Sequence, residues 1–116
     1  MFITFCKSKI SHATITEAEL HYEGSITVDA ELLRAVNIFE GEKVEILNIN
    51  NGTRIETYTI AGKAGSGQIC LNGPAARSGV VGDKIIILSY ALVDAKEAKG
   101  LKTKVIYLDE KNKVRK

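Results

Sequence analysis

The sequence contains no tryptophan, one proline and only two cysteines among its 116 residues. Cys6 and Cys70 are too few for a disulfide framework and lack the spacing of metal ligands, so we expect reduced thiols in a cytoplasmic protein and no metal site. No apolar run approaches the roughly 20 residues that span a bilayer. The apolar start, residues 1–6, also lacks the positive n-region and the cleavage site of a signal peptide, so we expect no membrane association.

The sequence also lacks a strong charge of either sign, because 16 Lys and Arg face 14 Asp and Glu for a net charge of +2. The surplus falls in a terminal run that is typical of a solvated tail: Lys111, Lys113, Arg115 and Lys116. Since there is no basic stripe with interleaved aromatics, we expect no nucleic-acid partner. A non-catalytic β-barrel that binds nucleic acid through this tail stays open as an alternative function.

The polar and apolar pattern is that of a mainly β protein with short helices. The length of 116 residues suits a single domain, residues 1–116. Runs separated by glycine turns predict strands at residues 2–15, 25–28, 43–50, 54–60, 68–71, 85–90 and 103–108. The run 85–90 is nearly all apolar, so we expect it to be buried on both faces. Many short strands with little helix favour a small closed β-barrel.

Helical signals are few. Thr16 precedes Glu19 by three residues, which predicts a capping box on a single helical turn. Asp29 is a good N-cap for a helix after the second strand. The residues that would form the buried face of that helix are Leu32, Leu33 and Val36. Residues 92–101 are polar and predict a short helix or loop.

The pair Gly24-Ser25 carries the most distinctive chemistry. A serine hydroxyl can attack the carbonyl carbon of the preceding residue and convert the peptide bond into an ester that later eliminates. Glycine suits that carbonyl, because without a Cβ it admits a strained backbone and leaves the carbonyl open. Elimination would cut the chain and convert Ser25 into a pyruvoyl group. A lone Gly-Ser pair, however, is usually an ordinary turn.

The surrounding sequence raises the significance of this pair, which ends the stretch His21-Tyr22-Glu23-Gly24-Ser25. Its companions are Lys9, Asn51-Gly52-Thr53-Arg54, Thr57-Tyr58 and Asn72-Gly73. Together, from about residue 9 to about residue 94, they resemble the bacterial aspartate 1-decarboxylases, small self-processing pyruvoyl enzymes that make β-alanine for pantothenate biosynthesis. The resemblance implies a six-stranded double-psi β-barrel, a homotetramer with active sites between subunits, and cleavage into a β chain, 1–24, and an α chain, 25–116.

Decarboxylation of an amino acid needs a group that accepts the electrons left behind, and a carbonyl joined to the amine as a Schiff base is such a group. A pyruvoyl group at Ser25 would serve, so the chain would need neither pyridoxal phosphate nor a metal. L-Aspartate carries two carboxylates, which calls for fixed cations. Arg54 can grip a carboxylate with two parallel hydrogen bonds, and Lys9 could supply a second charge. Either residue could instead be a surface charge.

Thr57 and Tyr58 are adjacent, so on a regular strand they face opposite sides. Tyr58 shares its face with Arg54, and the resemblance implies that its phenol donates the proton that quenches the carbanion. A packing aromatic is the alternative. The resemblance also implies that Thr57 binds substrate and lies against the Gly24 carbonyl during processing. Thr57 and Tyr58 would thus serve one site from opposite faces of a strand. This indicates a twist or bulge in the strand, or a site reached from both faces.

The segment Asn72-Gly73-Pro74-Ala75 resembles the part of these enzymes that binds the reacting group. The amide side chain and the exposed backbone N–H groups there could stabilise an oxyanion, although Asn-Gly is also a common turn. Pro74 stands where a small alanine is usual and removes one backbone donor. The N–H groups of Gly73 and Ala75 remain available.

Two further points stay open. The family more often shows histidine then arginine where this chain has Ser11-His12, and we assign no catalytic role to either residue. A pyruvoyl decarboxylase for another amino acid also remains an alternative. Aspartate and glutamate differ by one methylene, which is worth only roughly 1 to 3 kcal/mol of discrimination in a pocket.

Overall fold

The computed structural model describes residues 1–115, which form eight strands and three short helices. The strands are β1 (Phe2–Thr14), β2 (Glu17–Glu19), β3 (Ser25–Asp29), β4 (Lys43–Asn48), β5 (Arg54–Gly62), β6 (Ile69–Asn72), β7 (Lys84–Asp94) and β8 (Lys104–Tyr107). The helices are α1 (Ala30–Ala35), the 3₁₀ helix Gly73–Arg77 and α2 (Ala95–Ala98). No helix in this part of the chain is both long and apolar enough to cross a membrane.

The strands form one mixed sheet in the order β2-β6-β3-β5-β4-β7-β1-β8. The pairs β2/β6, β3/β5 and β1/β8 are parallel, whereas the remaining neighbours run antiparallel. The prediction of a mainly β fold with short helices is therefore confirmed. The described residues contain eight strands, and a closed six-stranded double-psi barrel among them stays a prediction.

The core is built mainly from β-branched residues. Its fully buried members include Ile10, Ile15, Ile26, Val28, Val36, Val44, Ile69, Ile85 and Ile87. The prediction that residues 85–90 are buried on both faces is wrong for the single chain. Ile85 and Ile87 are buried, but Ile86 and Leu88 on the other face are only partly covered. The alternation of a sheet with one covered face explains this difference.

The segment that follows β1 is a strand, so the predicted helical turn at Thr16 is wrong. The Thr16 hydroxyl donates to the Ile69 carbonyl at 3.0 Å and accepts from the Ile69 N–H at 2.9 Å. A side chain that exchanges two bonds with β6 cannot cap a helix. Glu17–Glu19 then pairs in parallel with Cys70–Asn72. Tertiary pairing has overridden a local capping signal.

Helix α1 begins as predicted at the N-cap Asp29, and Leu32, Leu33 and Val36 are buried. The Asp29 carboxylate accepts backbone N–H groups from Glu31 at 2.8 Å, Gly65 at 2.9 Å and Gly67 at 2.9 Å. Burial alone would raise the pKa of Asp29. The three N–H donors and the charge of Lys113 outweigh burial, so the pKa lies below its usual value.

The carboxylate of Asp29 should therefore stabilise the fold at neutral pH. We expect Asp29→Asn to lower the free energy of unfolding at pH 7 by about 2 to 4 kcal/mol, because bonds to a charged acceptor are lost. Since the folded pKa is depressed, this contribution is present above the unfolded pKa of about 3.9 and is lost as pH falls through the folded pKa. Urea unfolding of parent and variant from pH 7 to pH 3 would measure the difference.

A matched control is Asp94→Asn, since Asp94 also caps a helix but accepts only the Lys96 N–H. Asn is as good an N-cap as Asp, so this variant should change stability by less than about 1 kcal/mol. A gap between the Asp29→Asn variant and its parent that stays constant down to pH 3 would contradict the assignment.

The charged side chains Lys111, Lys113 and Arg115 are exposed, as expected of a solvated run, but two of them contact the body of the chain. Lys116 lies outside the described residues. Leu108 and Val114 form a β-bridge. The Lys113 ammonium donates to the Gly65 carbonyl, and the Arg115 guanidinium lies 5.6 Å from the centre of the Tyr107 ring. Residues 108–115 therefore fold back on the body, and these charges are partly committed to contacts within the chain.

Candidate active site

A cleft of about 500 Å³ lies between β5, the residue before β3 and the 3₁₀ helix. Its lining consists of Gly24, Ile55, Glu56, Thr57, Tyr58, Pro74 and Ala75. Five of these residues were predicted from the sequence as site residues: Gly24, Thr57, Tyr58, Pro74 and Ala75. The fold thus brings three separate parts of the chain together at one opening.

Thr57 and Tyr58 lie on opposite faces of β5, and the position of the cleft at the edge of this strand explains how both residues line it. Pairing of β3 with β5 begins at Ile26 and Thr59, so residues 54–58 of β5 pair only with β4 within the described chain. The cleft therefore borders the open edge of β5, which Thr57 and Tyr58 reach from its two faces. The β4–β5 register runs without a shift, so a bulge is not the explanation.

Ser25 begins β3 and is fully buried. It lies opposite Asn72 on the antiparallel strand β6, and the Asn72 amide nitrogen, Nδ2, donates to the Ser25 hydroxyl at 2.9 Å. Gly24, one residue before, lines the cleft. The predicted nucleophile is thus hidden from solvent, with a hydrogen-bond donor on its oxygen, while its neighbour faces the opening.

Thr27 and Cys70 were not predicted as site residues, although they form the next cross-strand pair on the same face of this ladder. The Asn72 Nδ2 also donates to the Thr27 hydroxyl at 2.9 Å, and the Cys70 thiol donates to Asn72 Oδ1 at 3.2 Å. Side chains two apart on a strand share a face. We call this set of four, Ser25, Thr27, Cys70 and Asn72, the β3–β6 square. The spacing of two on both strands is the signal that could have revealed it.

Gly73 holds the backbone that precedes Ser25. Its φ is +63°, and a Cβ at this position would lie 2.4 Å from the Tyr22 carbonyl oxygen and 2.9 Å from the Gly24 nitrogen. Gly24 itself is outside the positive-φ region, and a Cβ there would meet only Pro74 Cδ at an ordinary 3.5 Å. The steric need for glycine expected at Gly24 is therefore found at Gly73.

The two predicted cations lie outside the cleft of the single chain. Arg54 pairs with Glu45 at 2.6 Å, and the Tyr90 phenol donates to the same carboxylate oxygen at 3.0 Å. Burial, followed by this bond and the charge of Glu45, raises the pKa of Tyr90. Lys9 lies on β1 opposite Leu88. Because β1 is three places from β5 in the sheet, Lys9 is far from the cleft along the strand order.

A known protein family matches the chain over residues 1–115, and its description is aspartate decarboxylase. The chain belongs to the aspartate decarboxylase family. The match extends beyond the segment that carried the resemblance, residues 9–94, and confirms it.

Relatives named aspartate 1-decarboxylase support the same family. Those of Carboxydothermus hydrogenoformans and Acetivibrio thermocellus are 58% and 57% identical to the chain, each over 98% of the chain and 90% of the relative. The relative from Listeria monocytogenes serotype 4a is 55% identical over the same shares. The aspartate decarboxylase family therefore accounts for the whole described fold and not for one motif.

The departure at Ser11-His12 lies at an irregular point of β1. His12 has a φ of +63°, at a register shift of β1 between Ile10 and Ala13. Ser11 is buried, and its hydroxyl lies 3.0 Å from Nδ1 of the exposed His12 ring. The His12 ring therefore contacts the Ser11 hydroxyl from the solvent side, and that His12 cannot replace a residue at position 11 stays a prediction. In the described residues, no three His, Cys, Asp or Glu side chains come together as a metal site.

Proposed function

We propose that this chain is the proenzyme of a pyruvoyl-dependent decarboxylase that converts L-aspartate into β-alanine and carbon dioxide for pantothenate biosynthesis. One observation carries the proposal. The buried Ser25 hydroxyl accepts the Asn72 N–H at 2.9 Å, and the adjoining Gly24 opens into the cleft with Thr57 and Tyr58. Family membership supports the reaction.

Processing would begin with attack of the Ser25 oxygen on the Gly24 carbonyl carbon. The carbon–nitrogen bond breaks, the nitrogen gains the hydroxyl proton, and an ester forms. Elimination then removes the Cα proton and breaks the bond between Cβ and oxygen, so that a Cα=Cβ double bond forms. Residues 1–24 leave with a free carboxylate, and a dehydroalanine remains at position 25. Water replaces its nitrogen, ammonia departs, and a pyruvoyl group remains at position 25. Thr57, beside Gly24 in the cleft, would donate to the carbonyl oxygen as negative charge develops.

The residues around Ser25 fit such a group. When formed, a pyruvoyl group supplies an electrophilic carbonyl that accepts electrons as carbon dioxide leaves. The Asn72 amide would remain beside that carbonyl as a donor, and the surrounding β3–β6 ladder would exclude water. No pyridoxal phosphate is needed for this role. Tyr58 lines the cleft with 41% of its surface exposed, so its phenol can reach a substrate and donate a proton.

The substrate carboxylates require cations that the cleft lining does not include. Arg54 lies on the strand that borders the cleft but pairs with Glu45, and Lys9 lies three strands away. We therefore propose that a second copy of the chain completes each site. A homotetramer with active sites between subunits would meet this need. The exposed Arg54 side chain would then bind one carboxylate of L-aspartate, and Asn72, Gly73 and Ala75 would lie beside the reacting group.

Intact mass spectrometry of the denatured protein tests the proposal. We expect two fragments, residues 1–24 and 25–116. Their summed mass should exceed that of the uncut chain by one water minus one ammonia, whereas plain hydrolysis adds a full water. Carbon dioxide release from L-aspartate should appear as the cut form accumulates. A chain that stays uncut, or a cut chain that consumes another amino acid in place of aspartate, would contradict the mechanism or the substrate respectively.

Cutting and decarboxylation should respond differently to two substitutions in the cleft. We expect Thr57→Val to slow cutting by tenfold or more, because the hydroxyl beside Gly24 is lost. Tyr58→Phe should still cut but should lower kcat by about a hundredfold, since a proton donor is removed. Fragment masses over time and carbon dioxide release measure the two steps. Equal loss of cutting in both variants would show that the division of roles is wrong.

Arg54→Ala should leave cutting intact and lower kcat/KM for L-aspartate at least about tenfold, because a bidentate carboxylate contact is lost. Arg54→Lys should recover only part of that loss, since an ammonium cannot grip both oxygens. Fragment masses and carbon dioxide release from the cut variants would measure both effects. Lys43→Ala removes a neighbouring exposed cation that pairs with Glu56 and serves as the control. Parental kinetics from Arg54→Ala would remove Arg54 from the site.

A further inference from the structure

We propose that Thr27 and Cys70 are positioning residues, which hold the amide of Asn72 with one N–H directed at the Ser25 hydroxyl. The proposal rests on the proposed self-processing at Ser25. In the β3–β6 square, Ser25 is the proposed nucleophile and Asn72 is its hydrogen-bond donor. The proposal gives a role to the two remaining residues, Thr27 and Cys70.

An asparagine needs such help because its amide oxygen and nitrogen have nearly the same shape. Rotation about χ2 by half a turn exchanges them, and this torsion is broad and roughly two-fold. One orientation places a donor on Ser25, whereas the other places an acceptor there. Ser25 alone does not select one orientation, so the other groups that contact the amide must do so.

Thr27 and Cys70 occupy those neighbouring positions. Nδ2 carries two hydrogens, and the Thr27 hydroxyl accepts one at 2.9 Å while Ser25 accepts the other at 2.9 Å. On the oxygen side, the Cys70 thiol donates to Oδ1 at 3.2 Å, nearer than its second acceptor, the Leu71 carbonyl, at 3.9 Å. The amide therefore has a partner for both hydrogens and for its oxygen.

The environment of Cys70 keeps it a donor. The residue is 3% exposed, and burial followed by the charges of Glu17 and Glu19 raises its pKa. Both carboxylates come from β2, which pairs with β6 so that Glu17 lies opposite Cys70 and Glu19 opposite Asn72. A thiol that stays protonated can donate to Oδ1, whereas a thiolate would repel it.

The orientation matters for the first chemical step. An N–H that donates to the Ser25 oxygen leaves the hydroxyl proton free to depart and stabilises the negative charge that develops on that oxygen. The opposite orientation would accept the hydroxyl proton and hold it in place. The geometry thus predicts that Thr27 and Cys70 affect the rate of cutting without contact with Gly24.

The test measures the rate of cutting of freshly purified, uncut full-length chains. We expect Cys70→Ala and Thr27→Val each to cut about tenfold more slowly, which corresponds to the loss of one hydrogen bond. Cys70→Ser and Thr27→Ser keep a donor or an acceptor and should cut within about threefold of the parent. Cys6→Ala removes the other thiol, which among the described residues donates to the Ser8 carbonyl alone, and should leave the rate unchanged.

Rescue by serine separates positioning from packing, because alanine and serine leave similar space at Cys70. Equal slowing in Cys70→Ala and Cys70→Ser, with equal thermal midpoints, would overturn the role of Cys70. A parental rate in Thr27→Val would overturn the role of Thr27. A parent that never cuts would instead overturn the proposed function and this proposal together.

Asn72→Asp tests the orientation directly, because it keeps the shape but replaces both N–H donors with an oxygen. We expect cutting to slow at least a hundredfold. If the amide oxygen faced Ser25, the aspartate variant would preserve that contact and cut at the parental rate, and this result would overturn the proposal.

Discussion

Ser25→Ala protein should remain a single uncut chain and should release no carbon dioxide from L-aspartate. The substitution removes only the oxygen that attacks Gly24, so neither the ester nor the pyruvoyl group can form. Ser25 is fully buried, and the lost hydroxyl leaves the Asn72 amide with Thr27 as the other acceptor of Nδ2. We expect a stability loss of about 1 to 3 kcal/mol, which is small enough for the protein to fold.

The matched control is Ser66→Ala, which removes an exposed hydroxyl that donates to the Lys63 carbonyl in the loop after β5. This variant should cut and turn over as the parent does. Both variants and the parent would be incubated separately under the same conditions until the parent is fully cut. Each protein would then be analysed by intact mass and by carbon dioxide release. Any fragment of Ser25→Ala that begins at position 25 would show that the hydroxyl is not the nucleophile.

The elements that local patterns determine could be predicted from the sequence. Asp29 caps α1 because its side chain bonds a backbone N–H two residues on, within the reach of sequence reasoning. Thr16 shows where such reasoning ends. Its sequence has the pattern of a capping box, but the Thr16 hydroxyl forms hydrogen bonds to the backbone N–H and carbonyl of Ile69, 53 residues away. A single helical turn makes few hydrogen bonds of its own, so pairing with a neighbouring strand is the more stable arrangement of this segment.

The residues of the candidate site also divide into those that a local motif identifies and those that depend on strand pairing. Gly24, Ser25, Thr57 and Tyr58 could be named from the motif, and three of them, Gly24, Thr57 and Tyr58, line the cleft. Thr27 and Cys70 are marked in the sequence only by their spacing of two from Ser25 and Asn72, and that spacing gains meaning once β3 and β6 pair with Ser25 opposite Asn72. The positions of Arg54 and Lys9 relative to the cleft also depend on strand order, which alternation alone does not specify.

Gly73→Ala should slow cutting at least about a hundredfold while the protein still folds. A Cβ at this position would lie 2.4 Å from the Tyr22 carbonyl oxygen and 3.0 Å from the Glu23 carbonyl carbon, so the backbone before Ser25 must move. A displacement of about 1 Å in a reacting geometry can cost about a hundredfold in rate. Cutting of Gly73→Ala and parent would be followed by fragment masses at a temperature well below both thermal midpoints.

The strain of a positive φ must be separated from the displacement of the cut segment, and Gly41→Ala provides that comparison. Gly41 has a φ of +87°, and a Cβ there would have no neighbouring atom within 4 Å, so alanine adds backbone strain without a clash. We expect Gly41→Ala to lose stability and keep the parental cutting rate. If Gly73→Ala also cut at the parental rate, the contact between Gly73 and the Tyr22–Gly24 backbone would have no part in aligning Ser25 with its target. Slow cutting in Gly73→Ala alone would locate the alignment at that contact, because the two variants share the strain and differ only in what the added methyl group meets.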